Sequence, residues 1–280
     1  MIYKDLLLAL ASYPDTTPPP AIDMAVDFAA AIGAKLSAIA CEARIAVPGS
    51  FLAPALLDVP AMADAEAKKG RMQADALLAS FQAAAEKQGV FEERIFERCL
   101  TSELSGRLVE YARLRDLTII AVENNEFADQ SNAEALIFES GHPVLMIPRT
   151  RPKPFALRKV TVAWDFSRPA ARAVADALPL LAMARLVHVV TVVDEKRIDT
   201  TRSGPELAKH LARHGVEVVL ETVEAAGRSI GETLESCARS NESDLLVMGA
   251  YGHSRLREFV LGGATRSMMF QPPLPVLFSH

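Results

Sequence analysis

Apolar and polar positions fall along this chain in alternating blocks. Short, nearly continuous apolar runs are followed by longer stretches whose apolar residues recur three and four apart. The short runs suit buried strands and the longer stretches suit helices with one apolar face. In the first half, strands are expected at 5–10, 36–41, 90–97, 117–122 and 144–147, with helices at 21–32, 62–88, 103–114 and 132–140. Pro18, Pro19 and Pro20 force an extended segment before the first helix, and Gly33 and Gly89 read as helix ends. Residues 43–60, with Pro48, Gly49, Pro54 and Pro60, read as a long loop.

The second half repeats this order. Strands are expected at 160–164, 186–193, 216–223, 245–248 and 275–278, with helices at 169–183, 204–214, 228–240 and 264–270. Local matches support the repeat: Gly89-Val90 with Gly215-Val216, Asp116-Leu117 with Asp244-Leu245, and Pro143-Val144-Leu145 with Pro275-Val276-Leu277. The expected fold class is α/β, with two tandem doubly wound, five-stranded parallel sheets carrying helices on both faces. The expected domains are 1–150 and 156–280, joined across a segment holding Pro148, Pro152 and Pro154. In such sheets a ligand lies at the carboxyl ends of the strands, where the winding reverses.

Composition narrows the function classes. The chain has 280 residues, half of them hydrophobic, and a net charge of −5. No basic stripe interleaved with aromatics is present, which argues against a nucleic acid partner. Cys41, Cys99 and Cys237 have neither metal spacing nor a C-x-x-C pattern and read as reduced thiols. No run approaches the ~20 apolar residues of a membrane span. A cytoplasmic location is the expectation.

The candidate chemistry sits near the C-terminus. Gly249 and Gly252 follow a strand, and Gly262 and Gly263 open a helix. Glycines at those places let backbone N–H groups approach an anion, and the helix start adds partial positive charge. This Gly-x2-Gly-x9-Gly spacing resembles the nucleotide-binding motif of the universal stress protein family. The resemblance covers the whole chain as a tandem pair, with the motif in the second half alone, and implies the adenine nucleotide alpha-hydrolase-like fold.

By that resemblance Asp165, after the first strand of the repeat, accepts from the adenine amine, and the backbone of Val192 meets the base edge. Gly249, Gly252, Gly262 and Gly263 wrap ribose and phosphates. A carboxylate is a poor neighbour for phosphate and a good acceptor for an amine, which agrees with Asp165 at the base end. The family usually has Ser or Thr where this chain has Gly263, so Thr265 is the candidate to supply a hydroxyl or to cap the helix. His253, Ser254 and Arg255 read as a solvated turn. The first half lacks the motif: Leu10 is aligned with Asp165, and Glu123 to Glu126 replace the glycine turn.

No P-loop and no dinucleotide fingerprint is found in the sequence. Glu206, His210 and His214 share one expected helix face, which reads as solvated surface. The resemblance implies a stress-associated protein that binds ATP, with Mg²⁺ as a companion ion, and acts by regulation or interaction. At most it is a weak ATPase. Protein partners or a homodimer are implied, with no membrane. The rivals are a genuine ATPase or nucleotidyl-transfer enzyme, for which Asp194 and Glu195 are the candidate carboxylates, and a nucleotide-free scaffold or carrier of an apolar ligand.

Overall fold

A strand buried on both faces needs cover on both sides, and β1 (Asp5–Leu10), buried from Leu6 onward, and β4 (Leu117–Val122), buried throughout, are of that kind. Leu6, Leu7 and Leu8 are all fully buried. The computed structural model describes residues 3–12, 15–44, 59–122, 127–150, 155–193, 202–250 and 263–280. Besides β1 and β4, the first half forms α1 (Pro19–Ile32), β2 (Lys35–Arg44), α2 (Val59–Lys87), β3 (Phe91–Leu100), α3 (Leu104–Ala112), α4 (Phe127–Glu139) and β5 (Val144–Pro148). The second forms β6 (Lys159–Ala163), α5 (Arg168–Leu181), β7 (Leu186–Val192), α6 (Ser203–Ala212), β8 (Val218–Val223), α7 (Ile230–Ser240), β9 (Leu245–Gly249), α8 (Gly263–Phe270) and β10 (Val276–Ser279).

Each half has five strands in the same winding, and the two sheets are continuous. The strand order is β3-β2-β1-β4-β5-β10-β9-β6-β7-β8. Pairing is parallel within each half, and β5 meets β10 antiparallel, with Leu145 opposite Leu277. Successive side chains of each strand enter opposite layers. One layer packs Leu6, Leu8, Val160 and Val162 under α1, α2, α5 and α6. The other packs Leu7, Ala9, Leu246 and Met248 under α3, α4, α7 and α8.

The repeat extends to individual hydrogen bonds. Asp116 Oδ2 accepts from the N–H groups of Lys4 and Asp5, at 2.7 and 3.0 Å. Asp244 Oδ2 accepts from Arg158 and Lys159, at 2.8 and 3.1 Å. Each aspartate tethers the start of a half's first strand to the start of its fourth. The same register corrects one alignment. Leu6 pairs with Leu117 as Val160 pairs with Leu245. Counting on from those pairs, Leu10 corresponds to Trp164, and Ala11, one residue later, corresponds to Asp165.

Several further contacts join the halves across the β5/β10 seam. The Tyr3 hydroxyl donates to the carbonyl of Asp176 in α5. Phe28 of α1 meets Phe155 edge-on at 5.1 Å, and Phe138 of α4 meets His280 edge-on at 4.9 Å. Of the expected joint, Arg149 to Phe155, residues 151–154 lie outside the described residues.

Candidate functional site

The chain runs from β6 outward to β7 and β8, then returns to β9 and β10 on the other side. The winding therefore reverses between β6 and β9. Open α/β sheets leave a crevice there, outside the carboxyl ends of the strands. Asp165 leaves the end of β6, Val192 ends β7 and Gly249 ends β9. These are three adjacent strands, so three of the expected site residues come together at one edge of the sheet.

The turn after β6 is short and internally fixed. Asp165 Oδ1 accepts from the N–H of Ser167 at 3.0 Å, and Ser167 Oγ accepts from the N–H of Ala170 at 3.2 Å. Ser167 is thus the N-cap of α5, with Pro169 in the first helical turn. Phe166 between them has φ of 59° and is 58% exposed. A left-handed bulky residue is strained, and the two flanking hydrogen bonds hold it there. Its ring leans on Trp164 at 6.0 Å.

Val192 presents backbone toward the same edge. Trp164 donates its N–H to the carbonyl of Val190 at 2.9 Å, and Val193 donates to Val223 at 3.2 Å. Backbone groups alternate sides along a strand, so Val192 shares the β6 side with Val190. Beyond Trp164 that side is where Asp165 turns away. Placement and chemistry therefore fit a planar base with donor and acceptor edges.

Gly249 has a separate, steric reason for being glycine. A Cβ there would lie 2.4 Å from the Pro169 carbonyl carbon and 2.5 Å from the Ala170 nitrogen. The end of β9 thus touches the start of α5. Sequence reasoning missed this partnership, whose only signal was Pro169 just after the Ser167 cap. In the first half the register sets Ala121 in the place of Gly249.

Gly263 is the first residue of α8, and Thr265 in the first turn is 5% exposed. Gly252 and Gly262 lie outside the described residues, as do His253, Ser254, Arg255, Asp194 and Glu195. On α4, facing α8, burial pushes the Glu134 carboxyl up while Arg266 opposes the rise. Glu206 is engaged by Lys209 at 2.7 Å, and the rings of His210 and His214 stand edge to face at 5.0 Å. Among the described residues no group of three or more His, Cys, Asp or Glu is placed to hold a metal ion.

The first half differs at the same place. Residues 123–126 lie outside the described residues, but the turn after β1 is described except for 13–14. It runs from Ala11 to Pro18, longer than its counterpart. Ala11 and Thr17 close it, the Ala11 N–H donating to Thr17 Oγ1 and the Thr17 N–H to the Ala11 carbonyl, both at 2.9 Å. The Arg149 guanidinium donates to the carbonyl of Thr16. By the strand register Ala11, which has no carboxylate, stands where Asp165 stands.

Residues 156–280 match the model of the universal stress protein family. A curated relative, universal stress protein Slr1230 of Synechocystis sp., is 29% identical over 154 residues, which are 52% of this chain and 50% of the relative. The chain thus spans about half the length of this relative. Among solved structures, a universal stress protein from Archaeoglobus fulgidus DSM 4304 is similar with a TM-score of 0.68 and 14% identity, over 98% of this chain and 97% of that one. A proposed universal stress protein from Pseudomonas aeruginosa UCBPP-PA14 has a TM-score of 0.54 and 15% identity, over 99% and 93% of the two chains. At such identities these likenesses concern the fold. No helix among the described residues is long and apolar enough to cross a membrane. Residues 156–280 are thus similar to the universal stress protein family, and the whole chain shares its fold, in two tandem halves, with the solved structure from Archaeoglobus fulgidus.

Proposed function

We propose that the second half binds ATP or a related adenine nucleotide, with Mg²⁺ as companion ion, at the β6/β9 crevice. The observation that carries this reading is the convergence of Asp165, the Val192 backbone and Gly249 on three adjacent strand ends. The Asp165 carboxylate takes the exocyclic amine, and Val192 takes the base edge through its main chain. The glycine segment from Gly249 through Gly252 to Gly262 and Gly263 wraps the phosphates at the start of α8, with Thr265 as the nearest helical hydroxyl. The first half, 1–150, serves as a structural mate and partner surface for the nucleotide half, 156–280. The role is regulatory, in the cytoplasm: bound nucleotide sets a conformation that a protein partner or a second copy reads, and turnover is slow or absent.

Calorimetric titration tests this. One nucleotide per chain is expected, and Gly252→Val, which puts a branched side chain in the phosphate path, should abolish binding while leaving the circular dichroism spectrum unchanged. Undiminished affinity in that variant, or no ATP binding by the parent, would overturn the reading. Phosphate release assayed with Mg²⁺ and with Mn²⁺ separates a binding protein from an ATPase.

A further inference from the structure

Two thiols meet in the first half, away from the crevice of the second. Cys41 stands on β2 and Cys99 on β3, where the parallel register pairs Cys41 with Glu97 and Ala43 with Cys99. Positions two apart on a strand share a face, so both thiols enter the layer under α3, with Ile39, Ile95, Leu108 and Val109. There they are hydrogen-bonded to each other, and both are buried. The second half has no such pair, because the register sets Val192 in the place of Cys41 and Ala225 in that of Cys99.

Diagonal neighbours on adjacent strands stand about 8 Å apart, from a strand spacing of about 4.8 Å and a rise of about 3.3 Å per residue. A disulfide wants its Cα atoms within about 7 Å, so an atom placed between the sulfurs spans this gap better than a direct bond. Among the described residues no third His, Cys, Asp or Glu is placed to join them around a metal ion. Two soft donors alone suit a soft monovalent cation and not Zn²⁺, which takes four ligands. The bis-thiolate of such a cation carries one negative charge. Arg107 on α3 is electrostatically coupled to both sulfurs, and its Nε–H is buried without an acceptor, while Nη1 pairs with Glu110 at 2.7 Å. This guanidinium offsets the charge. Glu97 and Glu103 act in the opposite sense, and the Tyr111 hydroxyl donates to Glu97. Cys41 also lines the cleft at the ends of β1 and β4, whose water-sized space admits a bare ion.

We infer that Cys41 and Cys99 bind one copper(I) ion between β2 and β3, with the two sulfurs as its ligands and Arg107 as its counter-charge. Two S–H bonds break and two S–Cu bonds form. Both protons leave to solvent, and no electron is transferred. This inference stands apart from the ATP reading, since it concerns other residues and another half.

Copper(I) held by the coloured chelator bicinchoninate, without oxygen, is the probe, and the full chain is the competitor. The chain should withdraw one equivalent and release two protons per ion, and copper X-ray absorption should show two sulfur ligands. Cys41→Ser and Cys99→Ser should each lower the affinity at least about tenfold, whereas Cys237→Ser should leave it unchanged. Where a serine unfolds the chain, as circular dichroism would report, the parent's proton release and ligand count decide the matter. Failure of the parent to withdraw copper, nitrogen or oxygen among the ligands, or undiminished affinity in a folded Cys41 or Cys99 variant would overturn the inference. So would loss of copper in Cys237→Ser, because it would place the ion elsewhere.

Discussion

The turns that leave β1 and β6 begin at corresponding positions and obey different constraints. After β6 the chain reaches α5 within a few residues, with Asp165 and Ser167 fixing every step and Phe166 held left-handed. After β1 the chain takes a longer path, closed on itself by Thr17 and held by Arg149. Between the halves, residues that hold the sheet are duplicated and residues that line the crevice are not. Asp116 and Asp244 make the same pair of backbone bonds, whereas Ala11 and Ala121 stand in for Asp165 and Gly249. The backbone tethers are thus common to the two halves, and the residues at the strand ends differ.

The sharpest way to break this comparison is at Gly249. Any Cβ there must displace the backbone of Pro169 and Ala170, so Gly249→Val should cost about 3 kcal/mol or more in urea unfolding. Ala121→Gly, at the corresponding place, should cost only about 1 kcal/mol. Equal costs would mean that the two strand ends are not distinguished as described.

A smaller effect is expected at the base end. Asp165→Ala should weaken ATP by about 1 to 3 kcal/mol in a calorimetric titration, and GTP much less. The reciprocal change, Ala11→Asp, should create no second site, because the longer turn does not present the carboxylate as the β6 turn does. A stoichiometry of two in Ala11→Asp would show that a single residue separates the halves.

The duplicated aspartates should instead respond alike. Asp116→Ala and Asp244→Ala each remove an acceptor shared by two backbone N–H groups. Each should lower the unfolding free energy by about 1 to 2 kcal/mol, to within experimental error of one another.

The smallest difference lies at the helices α7 and α3. Ser229 and Glu232 form a reciprocal capping box at α7. At the corresponding turn before α3, Glu103 bonds the Leu100 N–H, and Leu100 has no side-chain oxygen to return the bond. Leu100→Ser should therefore add about 0.5 to 1 kcal/mol in thermal or urea unfolding. The Ser229 backbone N–H, followed by its hydroxyl, holds the Glu232 carboxyl below the usual range. The folded value lies under the unfolded one, so this contribution is complete above about pH 4.3 and fades as pH falls through the folded value. The stability difference between the parent and Glu232→Gln should vanish in acid accordingly.

Much of the fold was legible because both faces of the sheet are covered, which makes runs such as Leu6 to Leu10 and Leu245 to Met248 apolar throughout. Boundaries were less legible: β3 runs from Phe91 to Leu100 and α4 begins at Phe127, where charged and polar residues blur the period. Union of the sheets was not legible, since β5 and β10 look like any other strand and their pairing is set by partners over a hundred residues apart. At the site, Asp165 and Val192 could be placed by counting from strand ends. The alignment of Leu10 with Asp165 failed by one residue, because lateral register is fixed by hydrogen bonds and not by local composition. The contact of Gly249 with Pro169 and that of Cys41 with Cys99 bring together residues distant in sequence or dissimilar in type, and no local pattern announces them.

The seam between β5 and β10 has an evolutionary consequence. Two identical subunits meeting edge to edge must carry the same residues at both crevices, since every substitution is imposed on both copies at once. A covalent pair escapes that symmetry: Ala11 could diverge from Asp165, and Ala121 from Gly249, without either change appearing in the other half. Because the partners are tethered, each molecule also receives one copy of each half, and the pairing survives dilution. The seam thus gives the chain the asymmetry of a heterodimer with none of the sorting that separate subunits would require.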